Sequence, residues 1–112
     1  MTRARLPSRR HGITMPVEHR GQRFDCTFGI GEDGYVREAF MRSAKDGTDF
    51  SALMVDACIA VSMLLQHGET MQTLAQAFGE NRAEGESVGP PQSALGAIAR
   101  AGAAIDAQIG RI

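Results

Sequence analysis

The chain has 112 residues, a formal charge of −1 at pH 7 and two cysteines. This length leaves room for one domain, or one protomer of an oligomer, with a modest core. A charge balance so near zero argues against a strongly basic nucleic-acid-binding protein and against an acidic, solvating tail. The balance hides an asymmetry, because the chain through Arg23 carries six arginines and a single acidic residue, Glu18. We therefore predict a basic N-terminal arm at residues 1–12 and one α+β domain at residues 13–112.

The sequence predicts a cytoplasmic protein without membrane contact. Its arginine-rich start leads into a polar stretch rather than into the apolar run of a secretory signal. The most apolar segment, residues 49–68, is expected to be too short to cross a bilayer, and Asp56 and Ser62 interrupt it. Cys26 and Cys58 lie far apart among apolar neighbours, which is typical of two buried free thiols.

Two segments after the arm alternate apolar and polar residues, as half-buried strands do. The first is residues 13–17 (ITMPV), where Pro16 predicts a sheet edge or a bulge because proline has no N–H. The second is residues 23–30 (RFDCTFGI), and residues 19–22 (HRGQ) predict a hairpin turn between the two.

Residues 35–45 are ambiguous on local grounds. The run REAFMRSAK contains good helix formers and lacks clean alternation. We predict a third strand here, because residues 31–34 (GEDG) can form a short turn and two strands alone make a poor sheet. Tertiary context must then override the helix propensity of the segment.

Residues 49–68 (DFSALMVDACIAVSMLLQHG) predict the central helix of the fold. At about 100° per residue its apolar side chains cover most of the circumference, and only a narrow stripe contains Asp56 and His67. Asp49 is expected to cap the start, and Gly68 to stop the helix in the left-handed conformation. A helix that is apolar nearly all round is normally buried, so we expect material packed on two sides of it.

Two further helices are predicted beyond Gly68. Thr70 can cap a short helix that ends at Gly79, and Ser93 can cap a last helix. Residues 79–92 between them are polar and rich in glycine and proline, which indicates a loop. Apolar residues at helical spacing form the inner faces of the two helices: Met71, Leu74, Ala75 and Phe78 in the first, and Leu95, Ile98, Ile105 and Ile109 in the second. The alanines and glycines of the last helix allow a neighbour to approach closely.

The sequence contains the pattern G-x-G-x-x-G at Gly29, Gly31 and Gly34. A dinucleotide site would need a helix N-terminus aimed at the pyrophosphate within a strand–helix–strand unit. Here Glu32 and Asp33 place carboxylates where the phosphates would lie, and no second unit completes a cleft. We interpret the glycines as the borders of a hairpin.

No metal site and no catalytic arrangement is predicted. His11 and His19 lie on an extended segment, His67 lies at a helix end where a cation suits the dipole, and neither cysteine has a partner at ligand spacing. Asp56 is either buried beside a partner such as an arginine or faces solvent, and the solvent-facing arrangement is favoured.

The order of several short motifs resembles the TSCPD-domain family. That domain occurs near the C-terminus of cobalamin-dependent ribonucleotide reductases and also as a small stand-alone protein. The LPxRR opening and the LLQxG helix end are the most specific of these motifs. The matching segments are LPSRR at residues 6–10 with Gly12, Gly34 leading to REAF at residues 37–40, KDG at residues 45–47, and SMLLQHG at residues 62–68.

One departure from the family limits what the resemblance implies. The Thr-Ser-Cys-Pro-Asp signature is absent, and residues 85–91 (GESVGPP) occupy the loop where a cysteine motif is expected. A metal or redox role of those cysteines is therefore not carried over, and no cofactor is predicted. Two isolated cysteines in 112 residues also cannot supply the barrel, radical cysteine, reducing pair and cobalamin site of a complete reductase.

We expect a three-stranded antiparallel sheet covered on one face by the long central helix, with two further helices behind that helix. The apolar flank at Val55 and Ile59 and the small residues of the last helix exceed what so small a core needs, and they predict a homodimer.

The resemblance implies a link to deoxyribonucleotide synthesis. Our leading hypothesis is a non-catalytic accessory or regulatory module, not an enzyme by itself, that acts with a cobalamin-dependent reductase. The expected ligand or partner contacts are Arg9, Arg10, Arg37, Glu38 and Lys45. One alternative is a detached component that a larger reductase chain needs for activity. Another is nucleotide or nucleic-acid binding by the arm, although a solvated arm or a salt bridge to the acidic body is the favoured explanation of Arg9 and Arg10.

Overall fold

The computed structural model describes residues 11–43 and 47–109. Three strands precede three helices along the chain. Their bounds are β1 His11–His19, β2 Gln22–Ile30, β3 Val36–Ser43, α1 Asp49–Gln66, α2 Met71–Ala77 and α3 Ala94–Ile109. The strands form one antiparallel sheet in the order β1–β2–β3. The predicted α+β fold, with a three-stranded sheet and one long helix, is confirmed.

A two-residue turn joins β1 and β2 where the sequence predicts a hairpin. Arg20 and Gly21 have φ angles of 50° and 79°, and two positive φ angles are what a type I′ hairpin turn requires. β1 begins at His11, two residues before the predicted start of the domain. It is an edge strand, as Pro16 predicts.

β3 forms despite the helix propensity of its sequence. It pairs with β2 so that Phe28 lies opposite Ala39 and Cys26 opposite Met41, and these four side chains are buried. The pairing shifts between Gly29 and Ile30, which leaves Arg37 as the extra residue of a β-bulge. Burial against the helices therefore outweighs local propensity here.

All three helices lie on one side of the sheet. α1 packs along β3, α3 contacts β1, β3 and the side of α1, and α2 packs on α3. The expectation that both later helices lie behind α1 is therefore wrong for α3, which shares the sheet face with α1. The largest fully buried side chains form one core: Phe24, Cys26, Phe28, Val36, Cys58, Leu65, Met71 and Ile98.

Thr48, and not Asp49, caps the start of α1. The Thr48 hydroxyl oxygen accepts a hydrogen bond from the backbone N–H of Ser51 at 3.0 Å, and the Thr48 backbone is extended. Asp49 is instead the first helical residue, where its carboxylate favours the positive end of the helix dipole. At the other end His67 is the C-cap and Gly68 has a φ of 111°, so the predicted glycine stop is confirmed.

The expectation that material packs on two sides of α1 is wrong for the part of the chain that the structure describes. Met54, Cys58, Val61 and Leu65 face the sheet and are buried. Six large apolar side chains of α1 are between 42% and 66% exposed: Phe50, Leu53, Val55, Ile59, Met63 and Leu64. A three-stranded sheet and two other helices are too small to enclose a helix of 18 residues.

The expectation that this segment is too short to span a membrane also needs correction. α1 is the one helix among the described residues that meets the criteria of length and mean hydropathy for a membrane span. Asp56 and Ser62 do not lower its mean hydropathy enough to fail them. Its packing along β3 accounts for the apolar residues of its inner side, because a core helix has the same composition.

The two remaining helices begin where the sequence predicts. The hydroxyl oxygens of Thr70 and Ser93 accept hydrogen bonds from the backbone N–H groups of Thr73, at 3.2 Å, and Gly96, at 3.0 Å. The inner residues Met71, Leu74, Ile98 and Ile105 are buried, and Ala75, Phe78 and Leu95 pack against the core. The side chain of Ile109 lies outside the described residues.

Close contact between α2 and α3 depends on a glycine. A Cβ atom added at Gly102 would lie 2.7 Å from Cγ of Met71, so only glycine allows the present packing of this methionine. The predicted close approach through small residues of α3 is confirmed.

The loop after α2 is held to α3 by Glu80. Its carboxylate accepts hydrogen bonds from Arg82 and, at 3.1 Å, from Nη2 of Arg100. The bond from Arg82 is the main reason that the pKa of Glu80 lies below its ordinary value, and the charge of Arg100 adds to the effect.

Candidate functional site

Arg37 joins β3 to the C-terminal end of α1. Its Nη1 atom donates hydrogen bonds to the backbone carbonyls of Leu65, at 2.8 Å, and Glu69, at 2.6 Å. A cation is favoured at this end of a helix because the helix dipole places negative partial charge there. Two segments of the family resemblance, residues 37–40 and residues 62–68, therefore form one structural unit.

The same guanidinium also holds the turn between β2 and β3. Nε and Nη2 of Arg37 donate to one carboxylate oxygen of Asp33, at 3.2 and 2.6 Å. The Tyr35 backbone N–H donates to the other oxygen at 3.1 Å, and the Arg37 guanidinium carbon lies 5.2 Å from the centre of the Tyr35 ring. Burial acts to raise the pKa of Asp33, but the hydrogen bonds from Arg37 and Tyr35 outweigh it and lower the pKa below its ordinary value.

The three glycines of the G-x-G-x-x-G pattern serve this turn. Gly29 lies in β2, and Gly31 and Gly34 lie in the turn, where Gly34 has a φ of 83°. A Cβ atom at Gly31 would lie 2.8 Å from Cγ of Arg37, so a larger residue at this position would clash with the arginine side chain. The hairpin interpretation is confirmed.

This geometry gives Arg37 a structural role. Its side chain is only 14% exposed, and its donors point at Asp33, Leu65 and Glu69. A partner that bound the guanidinium directly would have to replace these hydrogen bonds, which are charge-assisted and strong. Contact between Arg37 and a partner remains a prediction.

The other predicted contact residues are not brought together by the described part of the chain. Glu38 follows Arg37 on β3, lies opposite Gly29 and is half-buried. Strand alternation places it on the sheet face away from the helices, together with Phe40 and Arg42. Arg9, Arg10 and Lys45 lie outside the described residues.

Polar side chains of α1 cover the outer edge of β3, which the sequence analysis did not anticipate. The Ser62 hydroxyl accepts a hydrogen bond from the Ala39 N–H at 2.9 Å and donates to the Ala39 carbonyl at 3.2 Å. Gln66 Nε2 donates to the Arg37 carbonyl at 3.2 Å. The available signal was the spacing of Ser62 and Gln66, which are four positions apart in a mostly apolar helix and therefore lie on one side of it.

A carboxylate from α3 continues this edge. Asp106 is 6% exposed, and its Oδ1 accepts the Val36 backbone N–H at 2.8 Å. Side chains from two helices thus satisfy backbone groups at the start of β3, where the bulge interrupts regular pairing.

The two cysteines are buried free thiols, as predicted. Burial raises the pKa of Cys26 to about 12, with smaller contributions from Cys58 and Asp25. Burial likewise raises the pKa of Cys58 to about 11. Both thiols are therefore protonated at neutral pH and are poor nucleophiles. Among the residues that the structure describes, no three His, Cys, Asp or Glu side chains are grouped as metal ligands would be.

α1 exposes an apolar surface that we call the outer face. It is formed by the residues opposite the buried side of the helix: Ala52, Asp56, Ile59, Ala60, Met63 and His67. Asp56 is exposed, as the sequence analysis favoured. Within the described ranges, no helix or strand covers this face.

An apolar groove runs beside the outer face, between α1, the β1–β2 turn and the start of α3. Phe50, Leu53, Ala57 and Leu95 line it. The Phe50 ring lies 6.1 Å from the Phe24 ring, which anchors this side of α1 to the sheet.

Comparison with known proteins relates the chain to one class of enzyme. It is 34% identical over 76 residues to the vitamin B12-dependent ribonucleotide reductase of Agrobacterium fabrum. The aligned segment covers 68% of this chain and 6% of the relative. It is 31% identical over 90 residues to that of Bradyrhizobium diazoefficiens, 80% of this chain and 7% of the relative. This chain is related to a segment of vitamin B12-dependent ribonucleotide reductases. The segment spans less than a tenth of either reductase.

A reductase from a third organism gives the same relation. The Rhodopirellula baltica reductase is 28% identical over 82 residues, which are 73% of this chain and 8% of the relative. No protein-family model matches the chain, and no solved structure matches it. The reductase relation implied by the resemblance is thus supported, whereas the TSCPD assignment stays a prediction.

Proposed function

We propose that this chain is a cytoplasmic, homodimeric, non-catalytic accessory or regulatory module that acts with a vitamin B12-dependent ribonucleotide reductase in deoxyribonucleotide synthesis. The observation that carries the proposal is the similarity of 68% of the chain to a segment that makes up 6% of such a reductase. A part that small contributes to binding or regulation more readily than to the reaction itself.

The chemistry of the described residues supports a module without catalysis of its own. Both thiols are buried and their pKa values are raised to about 12 and about 11. The cluster around Arg37 is closed by internal hydrogen bonds. These groups stabilise the fold and leave binding to the surface.

The proposed contact set is Arg9, Arg10, Arg37, Glu38 and Lys45. Glu38 and Lys45 are the most useful of these to change, because Arg37 also holds the fold together. Glu38 lies on the sheet face that no described helix covers, next to the exposed ring of Phe40.

The test is isothermal titration of the full chain into the intact reductase large chain of the same host. We expect a dissociation constant of about 1–10 μM, weakened at least about tenfold in a variant carrying Glu38→Lys and Lys45→Glu. The control is a single charge reversal in the exposed loop, Glu84→Lys, which should bind like the natural chain. No binding at about 100 μM, or equal weakening by the control, would contradict the proposal.

Experiments with the same chain and reductase also distinguish the two alternative functions. Reductase turnover that depends wholly on the added chain would identify a detached component of the enzyme. Binding of a single-stranded oligonucleotide that falls steeply with salt, and is lost with Arg9→Ala and Arg10→Ala, would favour nucleic-acid binding by the basic arm. Full oligonucleotide binding after removal of residues 1–10 would exclude the arm as the site.

A further inference from the structure

We propose that the outer face of α1 is the interface of the homodimer, in which two copies of α1 pack antiparallel with Asp56 of each copy beside His67 of the other. This inference deepens the homodimer included in the proposed function. It concerns the chain alone and can be tested without a reductase.

The first observation is the amount of apolar surface on one helix. Ile59, Met63 and Leu64 are 46%, 43% and 46% exposed, and Leu53 is 66% exposed. Ala52 and Ala60 are also exposed and lie between these larger side chains. A continuous apolar patch of this kind, bordered by polar residues, marks an interaction surface in soluble proteins.

The second observation is the position of the ionisable groups on this face. Beyond the first turn of α1 they are Asp56 and His67, eleven residues apart. Eleven residues are about three helical turns, so the two side chains lie within about 20° of each other around the axis. Asp56 has no hydrogen bond or ion pair within the described part of the chain, so it is available to a partner.

These charges select the orientation of the second copy. Burying Asp56 in an apolar interface without a hydrogen-bonding or charged partner would be costly. A parallel pair of helices would bring the two Asp56 carboxylates together, which is repulsive. An antiparallel pair with its two-fold axis between Val61 and Ser62 brings Asp56 of each copy opposite His67 of the other. The pair then forms twice in each dimer, as a two-fold interface requires.

The same register also fits by shape. It places Ala60 of one copy opposite Met63 of the other, so a small side chain faces a long, flexible one. The two copies of Ile59 lie on one side of this central contact, and the two copies of Leu64 lie on the other side. Ile59, Met63 and Leu64, which are exposed in the single chain, lie within this packing.

Charge exchange tests the pairing directly. Sedimentation equilibrium of the full chain should show a dimer, and Asp56→Lys or His67→Glu alone should raise its dissociation constant at least about tenfold, since the first removes the acceptor opposite His67 and the second places two carboxylates together. The double variant with both substitutions should restore dimerisation to within about threefold of the natural chain. Glu84→Lys, an equal charge change on an exposed loop, is the control. His67→Lys places a lysine cation opposite Asp56 and should remain dimeric.

Each other result overturns the proposal. A natural chain that stays monomeric at about 200 μM has no such dimer. A dimer that both single variants leave unchanged, or that the double variant fails to restore, uses another surface. Circular dichroism of each variant separates loss of association from loss of folding, and Asp56→Lys supplies the test if His67→Glu unfolds. Binding of the monomer to lipid vesicles or to the reductase would assign the face to that partner instead. A dimer that does not bind the reductase overturns only the proposed function.

Discussion

Arg37 shows how one side chain can connect three parts of a small protein. It is the extra residue of the bulge in β3, and from there it reaches the Asp33 carboxylate and the backbone carbonyls of Leu65 and Glu69. The bulge turns the side chain away from both sheet faces and toward the end of α1. The planar guanidinium suits this role because its donors point in several directions at once.

Replacing Arg37 with lysine is expected to lower the free energy of unfolding by about 1.5–3 kcal/mol, because a lysine ammonium group cannot span the same acceptors. Urea denaturation measures the change. The control is Arg23→Lys, whose side chain is 65% exposed and lies 3.5 Å from Asp25, and for which a change below about 0.5 kcal/mol is expected. Similar losses in the two variants would contradict the structural role of Arg37.

The role of Arg37 was beyond sequence reasoning, and the reason is physical. The residues it joins are 28 and 32 positions away along the chain, and such contacts depend on how β3 and α1 pack. The glycine pattern around it was interpretable, because carboxylates at Glu32 and Asp33 are incompatible with a phosphate site. The two carboxylates excluded a phosphate site from the sequence alone. The structural role of Arg37 followed only from the packing of β3 against α1.

At the scale of elements, the contact between α1 and the edge of β3 defines the fold. Ser62 satisfies both backbone groups of Ala39, and Gln66 donates to the Arg37 carbonyl. These polar side chains are buried on the same side of the helix as Met54, Cys58, Val61 and Leu65. They hold the helix beside the strand in one register, because a shift of one turn would leave the hydrogen bonds unmade.

Ser62→Ala should therefore destabilise the protein by about 1–3 kcal/mol, since the Ala39 N–H would be left buried without an acceptor. Amide hydrogen exchange should show the fastest relative increase at Ala39, with stability followed by urea denaturation. Ser87→Ala in the exposed loop removes the same hydroxyl at a solvated position and should change stability by less than about 0.5 kcal/mol. An unchanged exchange rate at Ala39 would show that this hydrogen bond contributes nothing.

Most helices, strands and turns were predicted from local sequence patterns, and the wrong predictions about packing have a common cause. The hairpin, the caps at Thr70 and Ser93 and the glycine stop after α1 depend on neighbouring residues, which the sequence displays. The coverage of α1 depends instead on how much surface the other elements can bury. Periodicity shows that a helix is apolar all round, but it cannot show whether this chain or a second molecule covers it.

At the scale of the whole molecule, the two cysteines report on the integrity of the core. Cys26 projects from the central strand and Cys58 from α1, and both are fully enclosed between the sheet and the helix. Reagents reach these thiols only when the layers separate. Their reactivity thus measures opening of the fold rather than the state of a local site.

At pH 8, both thiols of the folded chain are expected to resist iodoacetamide and to react fully in urea, as mass spectrometry can show. The pKa shifts also predict the direction in which stability changes with pH. The ordinary thiol pKa is 9.0, and folding raises it to about 12 in Cys26 and about 11 in Cys58. Unfolded thiols ionise first as the pH rises above 9, so stability should fall between about pH 9 and 11. A chain with Cys26→Ala and Cys58→Ala should lose less stability over this range. Rapid labelling of the native chain would contradict the enclosed core.

The partly covered edge of β3 also bears on how this protein can aggregate. A sheet recruits strands from other chains through edges with free backbone groups, and runaway pairing of this kind produces cross-β fibres. Here helix side chains occupy backbone groups of one edge strand, and Pro16 removes an N–H from the other. These features reduce the number of free backbone groups through which the sheet could recruit a strand of another chain.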